Sequence, residues 1–196
     1  MKKIISILCA GMITFSASAQ SSALTAGIGG INPKLRIQYE HGFAYMHSTG
    51  LNVGYYLENW TGPRAEAFYR IYFGGDNEKG MFMQASAGAG LLSYALEDDY
   101  LTFTDASGVE YNTYTSANSW TTLGGGLALG AKMTSRGGFV FESSMGLQIW
   151  SKPPANYSDD YDQYGGGFLD AVETVGYYVV GPGFPIHFQV KFGYNF

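Results

Sequence analysis

Cysteine and basic residues are both scarce in this chain of 196 residues. The single cysteine, Cys9, lies in an N-terminal apolar segment, so the rest of the chain has neither disulfides nor thiolate chemistry. Lysine and arginine together number 11 against 16 aspartate and glutamate residues, a formal net charge of −5. Because nucleic-acid binding requires clustered positive charge to neutralise phosphates, this balance excludes nucleic acid as a partner.

Long hydrophobic runs are missing as well. Beyond the first twenty residues no stretch approaches the roughly 18 consecutive apolar residues that mark a transmembrane helix. The start of the chain is instead typical of a secretory signal peptide, with two lysines, an apolar stretch over residues 4–15 and small residues up to Ala19. We predict that residues 1–19 are a signal peptide and that residues 20–196 form one mature domain.

Glycine and aromatic residues are abundant, with 28 Gly, 16 Tyr and 13 Phe. The clearest pattern covers residues 186–196, where apolar and polar side chains alternate without a break. A period of two predicts a β-strand, and this segment has the length of a tilted strand that crosses a membrane. The same alternation predicts seven earlier strands, at about residues 22–31, 34–40, 51–58, 64–73, 81–91, 122–133 and 139–149.

Eight strands are an even number, as a closed bacterial membrane barrel requires. We place three short turns on the periplasmic side, at 44–49, 74–80 and 134–137. The extracellular connections would be 32–33, which is unusually tight, 57–63, and two long loops at 95–118 and 151–185. The sequence therefore predicts an all-β, eight-stranded antiparallel transmembrane up-and-down barrel. A soluble lipocalin-like calyx is the alternative fold, because it shares the alternation.

The mature chain resembles the OmpA/OmpX-like group of small outer-membrane barrels, in particular the branch common in Bacteroidota-type bacteria. The resemblance is carried by the leader ending in Ala19, the hairpin segments RAEAFYRIYFGG and KGMFMQASAGAG, and the closing FQVKFGYNF. It implies the outer membrane of a Gram-negative cell, with membrane lipid and lipopolysaccharide as surroundings. The final aromatic pair, Tyr194 and Phe196, resembles the signal that the barrel-assembly machinery reads. Because the group includes adhesins, tethers and lipid-modifying enzymes, the resemblance specifies architecture and not activity.

The barrel interior is the first candidate site. If the apolar faces contact lipid, nine charged residues point inward: Arg36, Glu40, Glu58, Arg64, Glu66, Arg70, Lys132, Glu142 and Lys191. An eight-stranded barrel is just wide enough for its side chains to fill, and buried charges must pair. We therefore predict a packed polar plug. A narrow, porin-like conduit is the alternative.

Enzymatic chemistry has little support in the sequence. The adjacent pair His47-Ser48 resembles the His/Ser pair of lipid A deacylases, but the residue that separates the two in that motif is absent here. The three histidines do not have metal-ligand spacing. We predict a protein that is not an enzyme and has no cofactor, with a lipid A-modifying enzyme as the weaker alternative.

The two long loops are acidic and rich in tyrosine, which suits recognition of an extracellular protein or glycan. The candidate recognition residues are Asp98, Asp99, Tyr100, Asp159, Asp160, Tyr161, Asp162 and Tyr164. The aspartates at 159, 160 and 162 would also suit Ca²⁺, although their spacing matches no EF-hand. Three tryptophans at predicted strand ends, Trp60, Trp120 and Trp150, are expected to form an aromatic girdle.

Overall fold

The computed structural model describes residues 21–29, 33–58, 60–76, 79–94, 101–104, 110–113, 119–153 and 166–196. The predicted signal peptide lies outside these ranges. Ten strands and one helix are described: β1 Ser21–Gly29, β2 Lys34–Ala44, β3 His47–Glu58, β4 Trp60–Asp76, β5 Lys79–Tyr94, β6 Leu101–Thr104, β7 Glu110–Thr113, β8 Ser119–Thr134, β9 Phe139–Trp150, α1 Gly166–Val179 and β10 Ile186–Asn195. Among the described residues, no helix has the length and hydropathy to cross a membrane.

Eight of the described strands close into one barrel in the order β1-β10-β9-β8-β5-β4-β3-β2. Every neighbouring pair is antiparallel. The seam joins β1 to β10, and Phe196 exchanges backbone hydrogen bonds of 2.7 and 3.0 Å with Ser22 there. The predicted all-β, eight-stranded antiparallel barrel is confirmed.

The two ends of the barrel differ in their connections. At one end, here called the turn end, short connections join β2 to β3, β4 to β5 and β8 to β9. At the other, the loop end, the connection from β5 to β8 contains the separate β6–β7 hairpin, and that from β9 to β10 contains α1. Neither element was predicted, because both fall within segments without the barrel strands' alternation.

Several strands run further than the sequence indicates. The segment 57–63, predicted as a connection, continues the β3–β4 ladder, in which Leu57 pairs with Thr61 and Glu58 with Trp60. Gly62 allows this continuation, because it adopts a φ of 133° within the strand, a conformation open to glycine and rare for other residues. The hairpin therefore has a tight connection where a loop was expected.

The two faces of the wall have opposite polarity. Large apolar side chains are exposed on the outer face, as at Ile149, which is 76% exposed, while the next residue, Trp150, points inward and is 1% exposed. Outward residues of this kind occur on all eight barrel strands, for example Leu24, Ile37, Val53, Tyr69, Met83, Leu127, Leu147 and Phe188. The inner face holds the buried charges and amides.

Glycines on the inner face make room for large side chains on adjacent strands. Gly124 pairs with Trp150, and a Cβ added at Gly124 would lie 2.6 Å from Cδ2 of the indole. Gly50 pairs with Phe68, and a Cβ there would lie 2.5 Å from the phenyl Cζ. The high glycine content thus lets a narrow barrel enclose aromatic rings.

Candidate functional site: a charged lumen beneath an aromatic lid

Eight of the nine charged residues predicted to point inward have buried side chains inside the barrel. The ninth, Glu58, has a side chain outside the described part of the structure. The eight fall into two layers along the barrel axis. The turn-end layer consists of Glu40, Arg70, Lys132, Glu142 and Lys191; the loop-end layer contains Arg36, Arg64 and Glu66, joined by Lys34.

Arg70 is the centre of the turn-end layer. Its guanidinium lies 2.9 Å from Glu40 and 2.7 Å from Glu142, and its Nε donates to Gln84 at 2.8 Å. The rings of Phe68 and Phe82 lie 4.7 and 4.1 Å from the guanidinium carbon. Because β2, β4 and β9 supply the three charges, these ion pairs cross the lumen instead of following one hairpin.

The two carboxylates of this layer have further donors. Lys191 Nζ lies 2.7 Å from Glu142, and Lys132 Nζ lies 3.2 Å from Glu40. Ser48 and Tyr72 each donate a hydroxyl hydrogen bond to Oε1 of Glu40, at 2.6 and 2.5 Å. The carboxylates are therefore held by several charged and neutral donors, as a buried charge network requires.

The loop-end layer is less balanced. Nε and Nη2 of Arg64 both lie 2.9 Å from Oε1 of Glu66, and Nη2 of Arg36 reaches the same oxygen at 3.5 Å. Lys34 donates to the hydroxyl of Tyr56 at 3.2 Å. In the described part of this layer, two guanidiniums thus share one carboxylate, and the third cation, Lys34, contacts a phenol instead.

Sequence reasoning did not include Lys34, nor the neutral partners Gln38, Tyr72 and Gln84, in the network. The signal was present in the alternation, because Lys34 has the same strand phase as Arg36. Gln38 accepts from Lys191 at 2.7 Å and from Arg70 at 3.3 Å. Uncharged side chains that point into the lumen therefore belong to the site as much as the charged ones do.

An aromatic lid closes the loop end. It consists of Tyr56, Trp60, Leu92, Trp120, Trp150 and Tyr177, all buried against one another. The ring of Tyr177, from α1, meets those of Trp60 and Trp120 at centroid distances of 5.4 and 6.3 Å. The predicted girdle of Trp60, Trp120 and Trp150 is wrong: these side chains point inward. Their positions in the alternation explain this, because Trp120 lies on the same inner face as Thr122, and Trp150 lies on the same inner face as Gln148.

Hydrogen bonds fasten the lid to the barrel. The Tyr177 hydroxyl donates to the carbonyl of Ser151 at 3.1 Å and lies 3.2 Å from the Thr122 hydroxyl. Burial raises the pKa of Tyr177 to about 12. Two residues that follow α1 along the chain accept hydrogen bonds from the barrel. The carbonyl of Pro182 accepts from Arg64 at 3.4 Å, and that of Phe184 accepts from Gln148 at 2.7 Å. The loop-end layer and the lid are thereby one connected structure.

The remaining predicted residues are placed as follows. Ser48 points into the lumen towards Glu40, whereas His47 stands on the outer face and bonds the hydroxyl of Tyr69 at 2.8 Å. Tyr194 and Phe196 are exposed on the outer face beside the seam. The eight loop-recognition residues, including the aspartates considered for Ca²⁺, lie outside the described residues. Within the described ranges, no group of three or more His, Cys, Asp and Glu side chains is arranged to hold a metal.

Comparison with known proteins bears on the fold. The structure resembles the crystal structure of the N-terminal β-barrel domain of Pseudomonas aeruginosa OprF, with a TM-score of 0.50 and 13% sequence identity. The match covers 91% of this chain and 98% of that one. No protein-family model and no curated protein sequence matches the chain. At this identity the likeness shows the fold alone, a small closed β-barrel.

Proposed function

We propose that this protein is an outer-membrane barrel with a closed lumen, whose role is structural or one of surface recognition. The observation that carries the proposal is the inverted polarity of the wall, apolar outside and charged inside. A soluble calyx needs polar groups outside and an apolar ligand cavity inside, which is the opposite arrangement. A membrane barrel requires the observed arrangement, because unpaired charge in hydrocarbon is costly.

The orientation follows from the loops. The loop end faces the cell exterior in this proposal, as the long connections of outer-membrane barrels do, and the turn end faces the periplasm. The Bacteroidota-type branch remains a resemblance in sequence alone. Contact with the barrel-assembly machinery through Tyr194 and Phe196 is part of the same proposal, supported by their exposure next to the seam.

Location and closure can be tested with outer-membrane fractions from cells that express the full chain. A membrane barrel resists detergent at room temperature, so an unheated sample should migrate faster in gel electrophoresis than a boiled one. The periplasmic fraction provides the control. Recovery of the protein there, without a shift on heating, would contradict the proposal and favour a soluble calyx.

The candidate role of the barrel surface is recognition of an extracellular protein or glycan by the two acidic, tyrosine-rich loops. The test measures how cells that display the barrel bind to glycan and protein arrays. The comparison is with cells that display a variant in which the loop aspartates at 98, 99, 159, 160 and 162 are replaced by asparagine. Loss of an array signal in the variant supports recognition. Equal signals from both, or none from either, would leave a structural role as the better explanation.

A channel has less support, because Arg70 pairs with carboxylates across the lumen and the lid lies above it. An enzyme acting on lipid A through His47 and Ser48 has less still. The two residues are on opposite faces of β3, so the imidazole cannot take a proton from the hydroxyl.

A further inference from the structure

The outer face of the barrel differs between its two ends. Among the described residues, six exposed aromatic side chains lie at the turn end, and they are here called the turn-end belt: Phe43, Tyr45, Phe73, Phe139, Tyr194 and Phe196. At the loop end, large outward side chains close to the strand ends are aliphatic instead, for example Leu57, Leu91, Leu123, Ile149 and Ile186. In the described loop-end half, Tyr55 and Phe188 are the exposed aromatic residues, and both lie further inside their strands.

The turn-end belt surrounds the barrel. Phe73 lies on β4 and Tyr194 on β10, and these strands are four places apart in the closed ring of eight, on opposite sides. Phe43 on β2 and Phe139 on β9 occupy the two sectors between them. A protein partner would cover one side of a barrel, whereas a membrane leaflet contacts every side at the same level. The distribution therefore favours a lipid surface.

Polar groups accompany the aromatic rings at this end. Nδ1 of His47 lies 2.8 Å from the hydroxyl oxygen of Tyr69, and the centroid of the Phe43 ring lies 6.2 Å from those of both rings. Arg136 is exposed on the turn that leads to Phe139. Aromatic rings with polar groups beside them suit the boundary between hydrocarbon and headgroups, where one part of the surface is apolar and the next is hydrated.

We propose that the turn-end belt binds the headgroup boundary of one phospholipid leaflet and thereby sets the level of the barrel in the membrane, while the loop end has no fixed level. Outer-membrane barrels have aromatic girdles at both interfaces as a rule, whereas this one would be held at a single interface. The inference rests on the proposed function, which places the barrel in a membrane with its turn end towards the periplasm. The leaflet is then the periplasmic one.

The test compares the two ends of β9 in bilayers of different thickness. Residues 20–196 contain no cysteine, so a fluorophore can be attached at Gly137→Cys, before β9, or at Lys152→Cys, after it. Both residues are exposed. The full chain is expressed in cells, and the labelled barrel purified from their outer membranes is reconstituted into phosphatidylcholine vesicles with short, medium or long acyl chains.

Quenching by iodide, present on both sides of the vesicle membrane, reports how far each label is from water. If the belt sets the level, quenching at residue 137 should stay constant, and quenching at residue 152 should fall as the bilayer thickens. Equal changes at both labels, or constant quenching at residue 152, would overturn the inference. A barrel that gives such a result but still shows the shift in gel mobility on heating would retain the proposed function. Loss of that shift would contradict the proposed function itself.

A variant of the belt provides a second test. Leucine replaces four aromatic side chains, which keeps the outer face apolar: Phe43→Leu, Tyr45→Leu, Phe73→Leu and Phe139→Leu. The matched control changes four aliphatic side chains of the loop end: Leu57→Val, Leu91→Val, Leu123→Val and Ile149→Val. Quenching at residue 137 should vary with bilayer thickness in the belt variant and stay constant in the control. Constant quenching at residue 137 in both variants would contradict the role of the belt.

Discussion

The two layers of the lumen are built from the same residue types but differ in how fully their charges are paired. In the turn-end layer, Glu40 and Glu142 each receive several short contacts, and Arg70 lies between two phenyl rings. In the loop-end layer, Glu66 contacts the guanidiniums of Arg36 and Arg64, and the guanidinium carbon of Arg64 also lies 4.0 Å from the Trp150 ring centroid. The difference teaches that buried cations in one barrel can be held in two ways, by several carboxylate contacts in one layer and by a shared carboxylate with aromatic faces in the other.

The largest expected effect is at the centre of the turn-end layer. Arg70→Met would leave Glu40 and Glu142 short of their main counter-charge in a buried site. We expect a loss of about 3–5 kcal/mol in the free energy of unfolding, measured by urea unfolding of the refolded barrel in detergent. Arg136→Met, on the exposed β8–β9 turn, is the control and should change the midpoint little. Equal midpoints for the two variants would show that Arg70 does not hold the lumen together.

The loop-end layer should be less sensitive to a single change. Glu66→Gln removes its described carboxylate but keeps the shape, and the Arg64 guanidinium retains the Trp150 ring and the carbonyl of Pro182. We expect a cost of about 1.5–3 kcal/mol, the range for hydrogen bonds to charged groups, in the same unfolding assay. A cost above that of Arg70→Met would reverse the proposed order of the two layers.

The packing of the lid residue Trp150 against the barrel wall should be sensitive to the addition of a single methyl group. Gly124→Ala places a methyl group 2.2 Å from the carbonyl oxygen of Ile149 and 2.6 Å from Cδ2 of Trp150, so both the strand backbone and the ring must shift. Overpacking of this kind costs about 1–2 kcal/mol, and tryptophan fluorescence should report the displaced ring. Gly137→Ala is the matched control, since only the Ser135 hydroxyl oxygen lies within 4 Å of the added Cβ, at 3.9 Å. A change of the same size in both variants would point to backbone effects instead.

The smallest expected effect concerns the hydroxyl of Tyr177. Tyr177→Phe removes its hydrogen bonds to Ser151 and Thr122 and should cost about 1 kcal/mol. Urea unfolding followed by tryptophan fluorescence measures this cost. An unchanged unfolding midpoint would mean that ring packing alone holds α1 on the barrel.

The pH dependence of the lid follows from the same residue. The ordinary pKa of a tyrosine is 10, and that of Tyr177 is raised to about 12. Because the folded lid disfavours the ionised form, its stability is complete below pH 10 and falls as the pH rises towards 12. The difference in ultraviolet absorbance between the unaltered protein and Tyr177→Phe should show one tyrosine titrating near 12. A difference curve centred at pH 10 would indicate an exposed ring.

The fold was predictable because the barrel strands alternate strictly. An apolar outer face and a polar inner face force a period of two, and even the inward position of Lys34 follows from it. The same rule would have placed Trp120 and Trp150 in the lumen. The girdle was predicted instead from the residue type and its position at strand ends, without regard to the alternation. Helix α1 could not be found in this way, because it does not follow a period of two and its position on the barrel depends on tertiary contacts such as those of Tyr177 with the lid tryptophans.

Which atoms pair within the lumen could not be predicted. Alternation gives the face of each side chain but not the stagger between distant strands, which decides that Arg70 on β4 reaches Glu142 on β9 at 2.7 Å. The sharing of Glu66 by Arg36 and Arg64 depends in the same way on strand register and on glycines such as Gly54. The closed three-dimensional barrel is therefore needed to show which charged side chains form each layer.

The central claim, that the lumen is closed by two charged layers and a lid, is tested most directly by single-channel recording of the refolded full barrel in planar lipid bilayers. We predict no sustained conductance steps, because ion pairs cross the lumen and the aromatic lid lies above them. Stable, long-lived openings of the unaltered protein would contradict the account and make a narrow channel the better description.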